Sequence, residues 1–305
     1  MTDSAAAAPS AITSRDGVRR GTARRASEVI GDWSLALPLI ALVTALLVAP
    51  AAQLIVASVT GPDGLTLEHW QRSLSNRNDQ SALLTSLTLG ALVATLSTLI
   101  GGPVAWLLSR MPAPRRAGWL ALLNVAANFS GIGLGFAFLA TMGSVGMVTL
   151  TLRSLGAPFE PPSPASFAGL VLAYLYTNVP LFVLLTIPAM AAVRDDWWEA
   201  AQTAASTRGR FWREVALPVL TPFLAAGWLL IFTWSIGIYG IAFALAGSGG
   251  ATDVRLLTLQ IGLILQSSVF GQERAYVLAV ELMAVASMSL IAYRVLVRRA
   301  VRWLS

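Results

Sequence analysis

Six stretches of this chain stay apolar for longer than the roughly 20 residues a helix needs to cross a hydrocarbon core. They run approximately over Ser34–Val59, Leu83–Leu108, Ala117–Thr141, Phe167–Val193, Val219–Leu245 and Ala275–Val297. Lipid offers a backbone no hydrogen-bond partner, so a crossing segment must be a helix or part of a closed barrel. The runs are continuous and do not alternate, which selects helices. The pattern therefore predicts an all-α integral membrane protein with six transmembrane helices. Composition agrees: 56% of the residues are hydrophobic and 12% charged, against roughly 45–50% and 25% in soluble domains.

The boundaries follow from the same pattern. Residues 1–33 are rich in Ala, Ser and Arg without apolar periodicity, and read as a disordered cytoplasmic tail ahead of a membrane domain over 34–305. Ala49-Pro50-Ala51 resembles a signal-peptide cleavage site. The apolar run continues through Leu54, Ile55 and Val56, longer than a usual signal core, so the first helix is expected to be retained. A further apolar piece, Leu256 to Leu265, is too short to cross and is interrupted by Gln260. A helix lying at the outer surface is expected there.

All 21 basic residues are Arg. Sixteen lie in the tail, in the loops after the second and fourth spans and at the C-terminus; five (Arg72, Arg77, Arg153, Arg255 and Arg274) lie on the other side. Positive charge stays in the cytoplasm, which puts both termini there and requires an even number of spans. A pI near 10.7 could suggest nucleic acid, but the Arg residues concentrate beside apolar spans and not along one polar face.

Several chemistries are excluded by what is missing. Without Lys there is no G-x-x-x-x-G-K-[ST] phosphate loop and no Schiff-base lysine. Without Cys there is no disulfide, thiolate metal site or cysteine nucleophile. The single histidine, His69, cannot build a multi-histidine metal site. An enzyme is not expected, nor a cofactor, nor a bound metal. Gly131, Gly133 and Gly135 lie inside an apolar run with no preceding strand, which fails the context of a nucleotide loop. Gly131 and Gly135, four apart, suit close helix–helix contact.

The most informative loop lies between the fourth and fifth spans, over 194–218. Asp196, with Glu199 three residues on, reads as a helix N-cap with an acidic N3 partner. Ala200, Ala201, Ala204 and Ala205 then share one side of a short helix, a face that lets another protein approach closely. A second amphipathic piece carries Phe211, Trp212 and Val215 before Leu217-Pro218. On these grounds alone the loop is either a capped surface helix with a lipid-contacting tail or a docking element.

Glu199-Ala200-Ala201, followed by Val215, Leu217, Pro218 and Pro222, resembles the EAA loop of binding-protein-dependent ABC importer permeases, the MetI-like, type I family. The six spans extend the resemblance over Ser34 to Ser305. It implies a type I permease bundle whose loop forms a coupling helix that docks on a cytoplasmic ATPase. The coupling residues it implies are Glu199, Ala200, Ala201, Ala205, Gly209, Leu217 and Pro218. Its implied partners are ABC ATPase subunits, a second permease subunit (identical or different), an external solute-binding protein and membrane lipid. The family usually has Gly where this chain has Ala205, and Gly makes a left-handed turn that Ala resists by roughly 1 kcal/mol. Two ways round this are open: a helix one turn longer, toward Gly209, or a different turn through Ser206 and Thr207.

Polar residues inside spans are costly and often mark a pathway. The pathway candidates are Asn128, Tyr176, Asn178, Trp234, Tyr239 and Glu281, with Asn124 and Thr233 beside them. Each has a plain alternative: amides and hydroxyls tie helices together, and Tyr and Trp sit at the interface. Pro180 is expected to loosen the fourth span next to Asn178. Glu281 is read as a pathway acid, as the partner of an Arg on this or another chain, or as an acid in contact with water. The stretch Ala127-Asn128-Phe129-Ser130-Gly131 loosely resembles permeases for polyamines, thiamine, ferric iron and similar small polar solutes. The resemblance implies transport by alternating access, driven by separate ATPase subunits at the inner membrane. The alternative is an ion-driven secondary transporter, which would be expected to carry intramembrane acids and broken helices in repeated halves; here only Glu281 lies well inside a span, and no internal repeat is evident.

Overall fold

The computed structural model describes residues 15–61, 64–156, 161–247, 254–267 and 272–304. The chain divides into two units, one ending at Val56 and one beginning at Ala57. Helix α1, Arg15–Ser58, accounts for the described part of the first. It starts well before Ser34, within the segment expected to be an unstructured tail; residues 1–14 lie outside the described residues. Arg and Ala are good helix formers, and extending a helix that an apolar span has nucleated costs little.

The second unit opens with a two-residue antiparallel pair, β1 (Thr60–Gly61) and β2 (Gly64–Leu65), then α2 (Glu68–Ser75), α3 (Arg77–Ser109), α4 (Ala113–Asn128), α5 (Ile132–Met142), α6 (Met147–Ser154) and α7 (Phe167–Met190). A short helix, α8 (Asp195–Thr203), precedes α9 (Arg208–Phe211), which runs through a π-turn at Trp212–Ala216 into α10 (Leu217–Gly237). After α11 (Gly240–Ala242) and a second π-turn at Phe243–Gly247 come α12 (Leu257–Ser267) and α13 (Gln272–Leu304). Among the described residues six helical segments are long and apolar enough to cross a membrane, including Ile132–Ser154 and Arg208–Gly237.

The centre of the unit is the packing of α3, α7 and α10. Phe182 of α7 is fully buried between Gly101 of α3 and Gly227 of α10. A Cβ added at either glycine would come within 2.8 or 2.9 Å of its ring. The missing side chains let three helices close around one aromatic, the close approach small residues permit in membranes.

The helix ends sort into two groups. At one end, Arg274 of α13 grips the buried Asp79 of α3 through Nε–Oδ2 at 2.7 Å and Nη2–Oδ1 at 2.5 Å, and Arg255 donates to Asn78. At the other, Arg110 at the end of α3 reaches the start of α8. Arg110 on the one hand and Arg255 and Arg274 on the other, assigned to opposite sides of the membrane, thus contact opposite ends of α3.

Three expectations are corrected here. The third apolar run, expected as one span over Ala117–Thr141, is cut at Phe129–Gly131, where Gly131 takes a φ of +77°. Such a φ strains any residue with a Cβ, and it ends the helical ladder. Pro180, in contrast, does not interrupt α7, which is continuous and contains Pro188 as well. Packed neighbours support a transmembrane helix across a missing N–H. The 256–265 piece is helical, but its first turn is not superficial: Leu256, Leu257 and Leu259 are buried, and the Leu257 N–H donates to Ser86 Oγ of α3 at 2.8 Å.

Candidate functional site

The 194–218 loop has the short helix the sequence led us to expect, with a different start. Arg194, not Asp196, is the N-cap of α8, and no side chain caps it. Asp195 and Asp196 therefore occupy the first turn, favourable to the helix dipole, and each is ion-paired, Asp195 with Arg110 and Asp196 with Arg194. Glu199 falls too far along to serve at N3. Of the acids in this segment, Asp195, Asp196, Glu199 and Glu214, the first two and Glu214 (with Arg210) are paired. Glu199 is exposed, and its carboxylate has no hydrogen-bond or ion-pair partner among the described residues.

The end of α8 settles how Ala205 is used. Ala205 adopts φ +53°, its N–H donates to Gln202 O at 2.9 Å, and the Ser206 N–H donates to Ala201 O at 2.9 Å. This is a Schellman close, with Ala205 at the left-handed position that Gly usually fills. Both routes foreseen from the sequence are corrected: the helix does not run on toward Gly209, and Ala205 itself makes the turn. Ala205→Gly is therefore expected to raise stability, by about 1 kcal/mol, as a higher unfolding midpoint in detergent. An unchanged or lower midpoint would mean that the turn carries no strain.

The small face is divided by the fold. Ala200, Ala204 and Ala205 are exposed, while Ala201 turns inward with Trp197 and Trp198 onto a cluster built on Met190, Val193 and Phe211. Past the turn, the Thr207 hydroxyl accepts the Arg210 N–H at 3.4 Å and starts α9. Gly209 is exposed, with open space where a Cβ would go. Pro218 has no N–H to give the ladder, and the Leu217 N–H reaches back five residues to Trp212 O, which widens the helix into a π-turn.

The pathway candidates separate into two sets. Tyr176 is partly exposed, with Phe129 and Phe138 meeting it edge-on at 6.4 and 6.2 Å, and the exposed Asn128 lies beside Phe129 at the cut between α4 and α5. Asn178 is instead fully buried and donates to the Tyr174 carbonyl at 2.8 Å, which removes it from any open surface in this conformation. Trp234 is 55% exposed. Tyr239 stacks on Phe243 at 5.2 Å and covers Gly262. Glu281 is partly buried on α13 without an ion-pair partner among the described residues. The remaining amide and hydroxyl, Asn124 and Thr233, bond within their own helices, and Thr233 also reaches Ser289 of α13.

Sequence reasoning missed two helix breaks and how they are held. The ladder stops at Phe129–Gly131 and again at Ile238–Tyr239, and the breaks touch: a Cβ on Gly240 would lie 3.1 Å from Gly131 Cα and Ile132 N. Irregular backbone at membrane depth persists only where its polar groups find partners inside the protein. Two hydroxyls three residues apart on α7 supply them: Thr177 donates to Ala127 O at 3.2 Å and Tyr174 to Ile238 O at 3.0 Å. Thr258 of α12 adds a second donor to Ile238 O at 3.4 Å. The only advance signal was Gly131 and the Gly237/Gly240 pair, which mean little inside apolar runs.

The chain is 30% identical over 161 residues to the sulfate transport system permease protein CysT of Salmonella typhimurium, covering 52% of this chain and 57% of that protein. It is 28% identical over 215 residues to the molybdenum transport system permease protein ModB of Mycobacterium bovis, covering 70% and 78%. Its homologues are ABC importer permeases. A third, the sulfate permease CysW of a Synechocystis strain, is 27% identical over 235 residues, covering 76% of this chain and 82% of that one. The chain thus spans little more than half the length of the CysT protein and about four-fifths of the other two. No family model matches the sequence. In fold it resembles a chain of a bacterial ABC transporter involved in import of the acidic polysaccharide alginate, with a TM-score of 0.66 at 14% identity over 92% of this chain and 99% of that one. A second structure of an alginate transporter, in complex with a pentasaccharide-bound periplasmic protein, gives a TM-score of 0.64 at 15% identity. The fold is that of an ABC transporter permease.

Proposed function

We propose that this chain is the permease subunit of an ATP-driven importer in the bacterial inner membrane, with both termini cytoplasmic, and that its cargo is a small inorganic oxyanion. The observation that carries the reading is α8. It is a short helix between the fourth and fifth spans that presents an unpaired Glu199 and the small residues Ala200, Ala204 and Ala205 outward. An ATPase subunit docks there, a second permease subunit completes the pathway, and an external binding protein delivers the cargo. ATP-bound and free ATPase present different docking geometries to α8, and that difference drives alternating access.

Charge supports the choice of cargo. Polyamines and ferric iron, which the 127–131 stretch suggested, are cations that an acid-lined path would favour. In the described membrane segments Asp79 is taken up by Arg274, and Glu281 is the only other acid well inside a span. Neutral groups such as Asn128 and Tyr176 let an anion pass, and the single acid Glu281 is too little to line a path for cations. Relatives named for sulfate and molybdenum transport point the same way.

Proteoliposomes holding this chain with its ATPase and binding protein test the proposal. ATP-dependent uptake of sulfate or molybdate, with no uptake of spermidine, is the expected result. Uptake driven by an ion gradient without ATP would overturn it.

A further inference from the structure

Arg110 caps the C-terminal end of α3, one turn beyond Trp106. Its guanidinium donates through Nη1 to Asp195 in the first turn of α8, and through Nη2 to the Val193 carbonyl at 2.5 Å in the link between α7 and α8. Its plane lies 4.3 Å over the Trp106 ring, and Trp106 meets the edge of Trp212 at 4.7 Å. One side chain thus joins the end of α3 to two points 83 and 85 residues away in sequence.

The surroundings make this link more than one contact among many. A cavity of about 460 Å³ lies between the end of α3 and the α8–α9 turn, walled by Trp106, Trp198, Phe211 and Trp212. Beside this cavity Ala105 and Leu108 near the end of α3 share an apolar cluster with Val193 and with Trp197 and Trp198 of α8, a contact without fixed direction. Arg110 is the hydrogen-bonded link that sets the register of the two ends. A guanidinium held by two acceptors and seated on a ring is a planar fork of set orientation, which an ammonium cannot imitate. From there α3 continues to the Phe182 junction with α7 and α10.

We propose that Arg110 is the positioning residue through which displacement of α8 is passed to α3, so that ATPase movement reaches the membrane core through the Arg110–Asp195–Val193 bridge. The inference rests on the reading of α8 as the ATPase-coupling helix. In that reading Glu199 and the exposed alanines receive the movement, and Arg110 hands it on.

The test uses the complete transporter in proteoliposomes, with sulfate and molybdate as probes, and reads the ions delivered per ATP hydrolysed. Arg110→Gln is expected to assemble normally with the ATPase and to keep hydrolysing ATP, while ions per ATP fall about tenfold, within the usual range of coupling between sites. Asp195→Asn should lose less, because the Val193 contact survives, and Arg110→Lys should fall between Arg110→Gln and the native chain. The double variant Arg110→Gln/Asp195→Asn should be no worse than Arg110→Gln alone, since both changes break one bridge. A native ratio in Arg110→Gln overturns the proposal, as does a double variant whose loss is the product of the single losses. Loss of ATPase assembly in the variants overturns it too, because the bridge would then build the docking surface and not transmit through it. Failure of the unmodified chain to assemble with an ATPase or to import with ATP would instead overturn the coupling reading itself.

Discussion

Arg274→Ala is expected to destabilise the protein by about 3 kcal/mol, seen as a large fall in the unfolding midpoint in detergent and a reduced membrane level. Asp79 is 2% exposed and Arg274 holds both of its oxygens. Removing the cation strands a carboxylate in a site where water reaches poorly, and breaking a buried pair from one side costs roughly 3–5 kcal/mol. The lower end applies because the Arg274 side chain keeps 34% of its exposure. The Ser73 hydroxyl, 3.4 Å from Asp79 Oδ2, is too long a bond to replace a bidentate guanidinium. Converting both residues to apolar ones, Asp79→Leu with Arg274→Met, should recover most of the loss, since an ion pair and a well-packed apolar pair are often close in free energy. If the single variant unfolds like the native chain, the pair does not fasten α13 to α3.

The features legible in the sequence were those that lipid dictates. A bilayer demands apolar length, so the number and rough position of the spans could be read directly, and the Glu-Ala-Ala stretch with Leu217-Pro218 marked α8 and the helix after it. Features set by tertiary contact were not legible. Asp79 fell outside the expected second span, which began at Leu83, yet α3 starts at Arg77 because Asn76 caps it through the Asn78 N–H at 2.9 Å. The cuts at 129–131 and 238–239 lie inside long apolar runs, and Asn128 and Ser130 beside the first do not by themselves end a helix. Pro180 pointed to the wrong helix, since a proline removes one N–H whereas a Gly at φ +77° turns the chain. Local rules place Ala205 in a helix or a relaxed turn. It is left-handed because α8 must end there for Thr207 to begin α9. Arg110 read as one more positive-inside charge, for nothing local shows that its partners lie more than 80 residues on.

Two substitutions on α8 are expected to abolish most ATP-driven uptake while leaving the chain folded and inserted: Glu199→Gln and Ala200→Trp. Both side chains face outward. Neither side chain is held by another of the described residues, so the fold has little to lose from either change. Glu199 is past the first turn of α8, which removes the capping role that would have made Gln a silent replacement. As a docking group its carboxylate would take a charge-assisted hydrogen bond contributing roughly 1.5–3 kcal/mol. Losing about 2 kcal/mol weakens ATPase binding roughly thirtyfold. Ala200→Trp acts by volume, placing an indole where the partner must approach closely. Ala201 would be the wrong position for this test, because it packs inward beside Trp197 and Trp198 and a Trp there would disturb the permease itself. The readouts are membrane level, co-purification with the ATPase, and uptake. Normal level with poor co-purification and little uptake is the coupling-helix outcome for both variants. If both variants bind the ATPase and import normally, α8 is a surface helix with no partner, and the case for ATP-driven transport through this loop fails. A loss confined to Ala200→Trp would leave the docking face in place and remove Glu199 from it.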